Sequence, residues 1–340
     1  MKFSAPIIPV SLVECQHLSW KSQLKSAFSN NKDLLEYLQI SWVKYKDELT
    51  LSPDFPVRVP RAFADKMQKG NLNDPLLQQV LAKNIELDVV AGFSQDPLLE
   101  QSDKHPGLLH KYHGRVLLLI TGSCAINCRY CFRRHFPYQT QTVELNKLQN
   151  NLDYIQQDET INEVILSGGD LLLVSDSQLG QLITKIEAIC HVKRLRIHTR
   201  LPVVLPDRIT EPLIDILRAT RLQASMVVHA NHANEIDAYT GNKLNQLVNA
   251  GISVFNQSVL LKGINNCPQT LFELSEKLFE YQIIPYYLHL LDPVAGSAHF
   301  EESIKNARKI MRQLTDRLPG YLVPKLAKEE AKKPSKTVIL

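Results

Sequence analysis

Six short runs rich in aliphatic and β-branched residues recur between positions 115 and 292: RVLLLIT, INEVILSGG, VKRLRIHT, LQASMVVHA, GISVFNQSVL and IIPYYLHLLD. Helical patterns such as DSQLGQLITKIEAIC and ITEPLIDILRAT lie between them. Strand-length runs alternating with helices predict βα units around a parallel sheet. Periodicity alone admits an open doubly wound sheet or a six-stranded partial barrel. Each run closes on polar residues, in order TGSC, SGGD, HTR, HANH, NQS and LDP. Ligands of parallel α/β proteins sit at that carboxyl edge of the strands. Upstream, SWKSQLKSAFSN and NKDLLEYLQI space their apolar residues as helices, and Asp74-Pro75 reads as a helix start. The expected division is a helical region over 1–105 with no catalytic residues, an α/β body over 106–320 and a lysine-rich tail over 321–340.

Composition narrows the functional classes. The 340-residue chain is 44% hydrophobic and 22% charged, as in soluble globular proteins. Its net charge is +4 and its 39 basic residues are scattered, which argues against nucleic acid as the main partner. The amino-terminal apolar stretch is broken by Pro6, Pro9 and Glu14, too early for a signal peptide. No apolar run reaches membrane-spanning length, so the expectation is a soluble, cytoplasmic protein with no membrane partner. Six cysteines in a reducing compartment are not a disulfide framework. Cys15, Cys190 and Cys267 stand alone and are expected to serve ordinary packing.

Cys124, Cys128 and Cys131, in CAINCRYC, are different. Three thiols spaced by four and three residues just after the first run can converge from one loop on one inorganic centre. Three unliganded thiols are one reading, and zinc completed by His135 is another. An iron–sulfur cluster with one iron left open accounts for three ligands without a fourth, and an open metal position is what catalytic sites keep. Gly168 and Gly169 in SGGD let a backbone approach a ligand closely; a plain strand-to-helix turn would use the same pair.

The trio after the first run, with SGGD after the second, resembles the radical S-adenosylmethionine (SAM) superfamily. Within it, HKYHGRVLLLITGSCAINCRYCFRRHF, ILSGGDLLLV, LRIHTRLPVVLPDRIT, NHANE, NQSVLLKGIN and PYYLHLLDPVAGSAHF resemble the lysine 2,3-aminomutase family over about residues 105–340. The likeness is to its short bacterial branch, which supplies (R)-β-lysine for elongation factor P.

The resemblance implies a partial (β/α)6 barrel and three cofactors: a [4Fe-4S] cluster, SAM and pyridoxal 5′-phosphate (PLP). In the family the reduced cluster cleaves SAM to a 5′-deoxyadenosyl radical. That radical takes hydrogen from PLP-bound lysine, and the amino group moves from C2 to C3. An external electron donor and a ligase acting on elongation factor P are the implied partners, with L-lysine as substrate.

Position by position, the resemblance gives Cys124, Cys128 and Cys131 to the cluster. Ser167, Gly168, Gly169, Asp170, His229 and Gln257 go to SAM, although His229 also reads as a satisfied histidine at a strand end. Tyr112, Arg115 and Arg200 go to the PLP phosphate, and Lys336 carries PLP, with Lys332 and Lys333 as the alternatives in the same motif. Arg133 takes the substrate carboxylate and Asp292 its ε-ammonium, against a plain Asp-Pro turn. The chain departs from the family where KEEAKKPSK lacks glycine and where GYLVPKLA carries no second acid.

Overall fold

The computed structural model describes residues 19–49, 55–100, 105–141, 148–331 and 333–339. The six expected strand runs form β2 (Arg115–Thr121), β3 (Glu163–Gly168), β4 (Arg194–Thr199), β5 (Gln223–His229), β6 (Ser253–Val259) and β7 (Ile284–His289). They lie side by side, all parallel, in chain order. A seventh parallel strand, β8 (Lys325–Lys328), pairs with β7. Two antiparallel strands flank the set, β1 (Leu108–Tyr112) on β2 and β9 (Thr337–Val338) on β8. The nine-stranded order runs from β1 to β9 without closing, a partial barrel.

Alternation along the strands sorts side chains between two environments. On β4, Leu195 and Ile197 are buried in the main core while Arg196 and His198 line the interior cavity. Helices cover the outside, and their starts are specified locally. Ser175 accepts from the Gln178 amide and the Gln178 side chain returns to the Ser175 amide, a capping box that opens the helix Asp176–Glu187. Leu179, Leu182, Ile183 and Ile186 then point at the sheet and are buried. Burying each such side chain contributes roughly 1.5–3 kcal/mol.

The amino-terminal segment is helical but in short pieces. Asp74 does cap a helix, accepting from the amides of Leu76 and Leu77, yet that helix spans only Pro75–Gln78. Leu76, Leu77, Val80, Leu81 and Ala82 are all buried, and only Pro75 and Gln78 of the helix are partly exposed, a narrow solvent face for an amphipathic helix. Side chains from this segment and from the barrel share one hydrophobic cluster. Lys66 ties the two together, its Nζ donating to the carbonyls of Val203 and Glu235 at 3.0 and 2.8 Å and to Thr240 Oγ1. Burial pushes that lysine down to about 8.

The isolated cysteines differ from expectation. Cys190 and Cys267 are exposed, and Cys267 occupies the position before the helix Pro268–Glu280. Cys15 lies outside the described residues. Among the described residues no helix is long and apolar enough to cross a membrane.

Candidate active site

At the carboxyl ends of β2–β7 the barrel encloses a cavity of about 740 Å³. Every residue that the family resemblance assigns, from Tyr112 to Lys336, borders it. Two groups of side chains share the space, one around the cysteines and one around Lys336.

The cysteine loop follows β2 and is held from behind. The Asn127 amide donates to the Arg58 carbonyl at 3.0 Å, and the Arg129 amide to the Gln79 carbonyl at 2.9 Å. Arg129 is fully buried, with Nε 2.9 Å from Glu86 Oε1 and Nη1 2.8 Å from the Phe55 carbonyl. Arg134 reaches the same Glu86 carboxylate at 2.8 Å and the Gly296 carbonyl at 3.0 Å. One buried carboxylate therefore joins the two arginines that flank Cys131 in sequence. Removing one partner of such a pair typically costs about 3–5 kcal/mol because a charge is left buried alone.

Burial raises two of the thiols. Cys124 is driven well above its ordinary value and Cys131 to about 11, with neighbouring cysteines adding to the effect. Thiols desolvated as Cys124 and Cys131 are resist ionising until a cationic centre supplies counter-charge, as a metal cluster does. Among the described residues no group of three or more His, Cys, Asp and Glu is drawn together as around a single metal ion. The thiols border open cavity instead. His135, the fourth ligand of the zinc reading, does not border the cavity; its Nε2 lies 3.1 Å from the Ala295 carbonyl.

The glycines also make a close approach within the chain itself. A Cβ at Gly168 would lie 2.3 Å from the Thr121 carbonyl oxygen, and one at Gly169 would lie 2.2 Å from that of Ser123. Gly168 also has φ of +131°, where side chains are strained. The pair thus seats β3 against the cysteine loop, bringing the loop and strand backbones together at the cavity wall. Asp170 next to it is occupied: its carboxylate accepts from Thr199 Oγ1 and from the amides of Leu172, Arg200 and Leu201. It borders the cavity while fixing the end of β3 to the end of β4.

Arg200 stands on the cysteine side. Its Nη1 lies 2.6 Å from Cys128 Sγ and 2.6 Å from Tyr130 Oη, and its Nη2 reaches Gln79 Oε1 at 2.8 Å and Glu235 Oε2 at 3.0 Å. His229 stacks on Tyr130 with ring centres 5.7 Å apart, its Nε2 2.9 Å from the Tyr130 hydroxyl and 3.2 Å from Asn231 Nδ2. Burial, helped by the Arg200 cation, holds His229 neutral.

Around Lys336 the wall alternates in charge. Lys336 Nζ lies 2.5 Å from Glu329 Oε2, Lys111 sits 3.6 Å from Glu329 and 2.7 Å from Glu100, and Arg133 Nε is 2.7 Å from Glu100. The Tyr112 hydroxyl also donates to Glu329. Arg115 packs its guanidinium 5.3 Å from the Tyr112 ring, and its buried Nε has no hydrogen-bond partner. His198 Nε2 is likewise buried and unpartnered, and burial keeps both His198 and His289 neutral beside Lys336. Asp292 completes this end; desolvation lifts its carboxyl to about 7, although Lys336 pulls the other way. Lys333 is exposed, and Lys332 lies outside the described residues.

Glu329, Gln79, Glu86 and Glu100 are among the residues that escaped the sequence reading. Glu329 brings a second acid into the cavity, where the lack of one in GYLVPKLA had left that place empty. Its spacing of seven from Lys336 was the available signal. Gln79, Glu86 and Glu100 come from the segment expected to hold nothing catalytic, and no local pattern marks them.

Residues 113–201 match a family described as 4Fe-4S single cluster domain. The chain is 48% identical to the L-lysine 2,3-aminomutase of Escherichia coli K12, over 94% of this chain and 93% of that one. It is 46% identical to the Haemophilus influenzae L-lysine 2,3-aminomutase over 98% of both. With that of Clostridium subterminale it shares 34% identity, over 90% of this chain and 74% of the relative.

Proposed function

The chain belongs to the L-lysine 2,3-aminomutase family of isomerases, and from there we propose that it moves the α-amino group of free L-lysine to the β-carbon, giving (R)-β-lysine. The observation that carries the reading is that a three-cysteine loop and the distant Lys336 border one cavity. Three thiols on a braced loop fit a four-iron cluster whose fourth position is left for SAM. When bound, cluster and SAM supply a carbon radical, and PLP supplies a conjugated ring that lets nitrogen migrate.

The chain's own residues then divide the work. Cys124, Cys128 and Cys131 hold the cluster, while Ser167, the backbone of Gly168 and Gly169, His229 and Gln257 line the space beside it for SAM. Lys336 carries PLP. Arg115 offers an uncommitted buried N–H toward its phosphate, and Arg196, whose Nε lies 3.2 Å from Glu163 Oε1, also lines the cavity, whereas Arg200 is engaged on the cysteine side. Arg133 orients the substrate carboxylate. Asp292 and Glu329 receive the ε-ammonium, which favours a cationic side chain over glutamate. Two fixed charges at opposite ends of lysine hold its Cβ in one place, and such positioning is a large part of rate enhancement. The buried walls keep water from the radical.

An external one-electron donor serves the cluster, the setting is cytoplasmic, and the product passes to the ligase that modifies elongation factor P. The likeness to short bacterial relatives over nearly their full length supports that last step.

The test is anaerobic reconstitution of the full chain with iron, sulfide, PLP, SAM, reductant and L-lysine, reading β-lysine by chiral chromatography. (R)-β-lysine is expected. Turnover of glutamate or arginine but not lysine overturns the substrate. A single bound zinc with no SAM cleavage overturns the reaction class.

A further inference from the structure

Among the described residues, Arg200 is the cation hydrogen-bonded to a cysteine of the trio. Its placement is determined from two sides. Asp170 accepts from the amides of Arg200 and Leu201, both at 2.8 Å, which fixes the backbone. Tyr130, Gln79 and Glu235 fix the guanidinium. Glu235 is itself fully buried and accepts from the amides of Asn231 and His232 at 2.8 and 3.1 Å, so it cannot swing away. The result is a rigid line of sulfur, guanidinium and carboxylate.

We propose that Arg200, held by Glu235 and Gln79, sets the reduction potential of the cluster carried by the trio. The inference rests on the cluster reading given above. Hydrogen bonds to cluster sulfurs, net charge and solvent exposure are the protein's means of tuning such centres. A guanidinium touching Cys128 favours the state that holds one more electron. Glu235, one group further out, opposes it with the weaker influence of a more distant charge. One electron enters the oxidised cluster from an external low-potential one-electron carrier. No proton accompanies it, because a guanidinium keeps its charge throughout the working pH range. The same electron leaves to the sulfonium of SAM, whose C5′–S bond breaks to give methionine and the 5′-deoxyadenosyl radical.

Arg200 is thus a positioning and tuning residue, and its removal is read in the potential as well as the rate. The experiment is a redox titration of the anaerobically reconstituted full chain followed by electron paramagnetic resonance, with PLP measured by absorbance in the same samples. Arg200→Gln is expected to move the midpoint to more negative values and to retain PLP. Arg200→Lys, which keeps charge but loses the fork, moves it less in the same direction. Glu235→Gln, which keeps the shape and removes the opposing charge, moves it to more positive values, and it tests the idea even where an Arg200 variant holds no iron. Unchanged midpoints overturn the inference, as does loss of PLP absorbance from Arg200→Gln at an unchanged midpoint, which would return Arg200 to the phosphate. A wild-type chain with no four-iron signal overturns the cluster reading instead.

Discussion

A carboxyl buried beside a lysine titrates where an exposed one does not. Asp292 is lifted to about 7 by desolvation, so acidification through that value neutralises it in the free chain and removes its attraction for an ammonium. The kcat/KM for L-lysine should therefore fall below about pH 7, while Asp292→Asn should give a low profile without that bend. The same shift has a sign for stability. The folded value lies above the ordinary 3.8, so the contribution of Asp292 is fully present below about 4 and lost as pH rises through about 7. Denaturant titrations of wild type and Asp292→Asn across that window check it.

Gly169→Ala places a methyl group 2.2 Å from the Ser123 carbonyl oxygen. The expected loss is about 1–3 kcal/mol of stability with a fall in bound iron, read by denaturation and iron analysis. At this scale the sequence was informative about which residues meet but not about their partners. The cysteine spacing is local and survives translation into a loop. Glu329 and the engagement of Arg200 depend on contacts between distant segments, which no local pattern encodes. The glycines were legible as a close approach, but the approaching surface is the chain's own backbone.

Among the elements, β9 carries the heaviest consequence for its two residues. It pairs antiparallel with β8, and the Ile339 amide donates to the Leu326 carbonyl at 3.0 Å, just beyond Lys336. Ile339→Pro removes that donor and should loosen Lys336 without touching the cysteine loop. PLP absorbance should drop while iron content stays at the wild-type level; equal losses of both would show that the tail does more than seat Lys336. The six strands β2–β7 were readable because each is an aliphatic run with a polar end, repeated at βα spacing. Strand β8 was not. Its KLAK has four residues, two of them lysines, and only Leu326 and Ala327 are buried, too short a pattern to separate from a charged tail.

For the whole molecule, the shared hydrophobic cluster makes the amino-terminal segment part of the barrel's foundation. Heating should give one cooperative transition by calorimetry and by circular dichroism, not separate melting of an amino-terminal unit. Glu100→Gln bears on the same union, because it leaves Arg133 buried without its partner. A loss of about 3–5 kcal/mol is expected in denaturant unfolding of the ligand-free chain. Lysine should restore part of it, since its carboxylate takes the vacated place.

The alternating wall from Lys336 to Arg133 also governs how a guest gains entry. Each charge there is matched before anything binds, so lysine comes in by swapping partners, its own two opposite ends answering the groups it displaces. A fragment with only one of those ends, a simple alkylamine or a simple fatty acid, would leave a severed pair behind it. Such half-molecules should compete feebly with lysine however well their methylene chains fit.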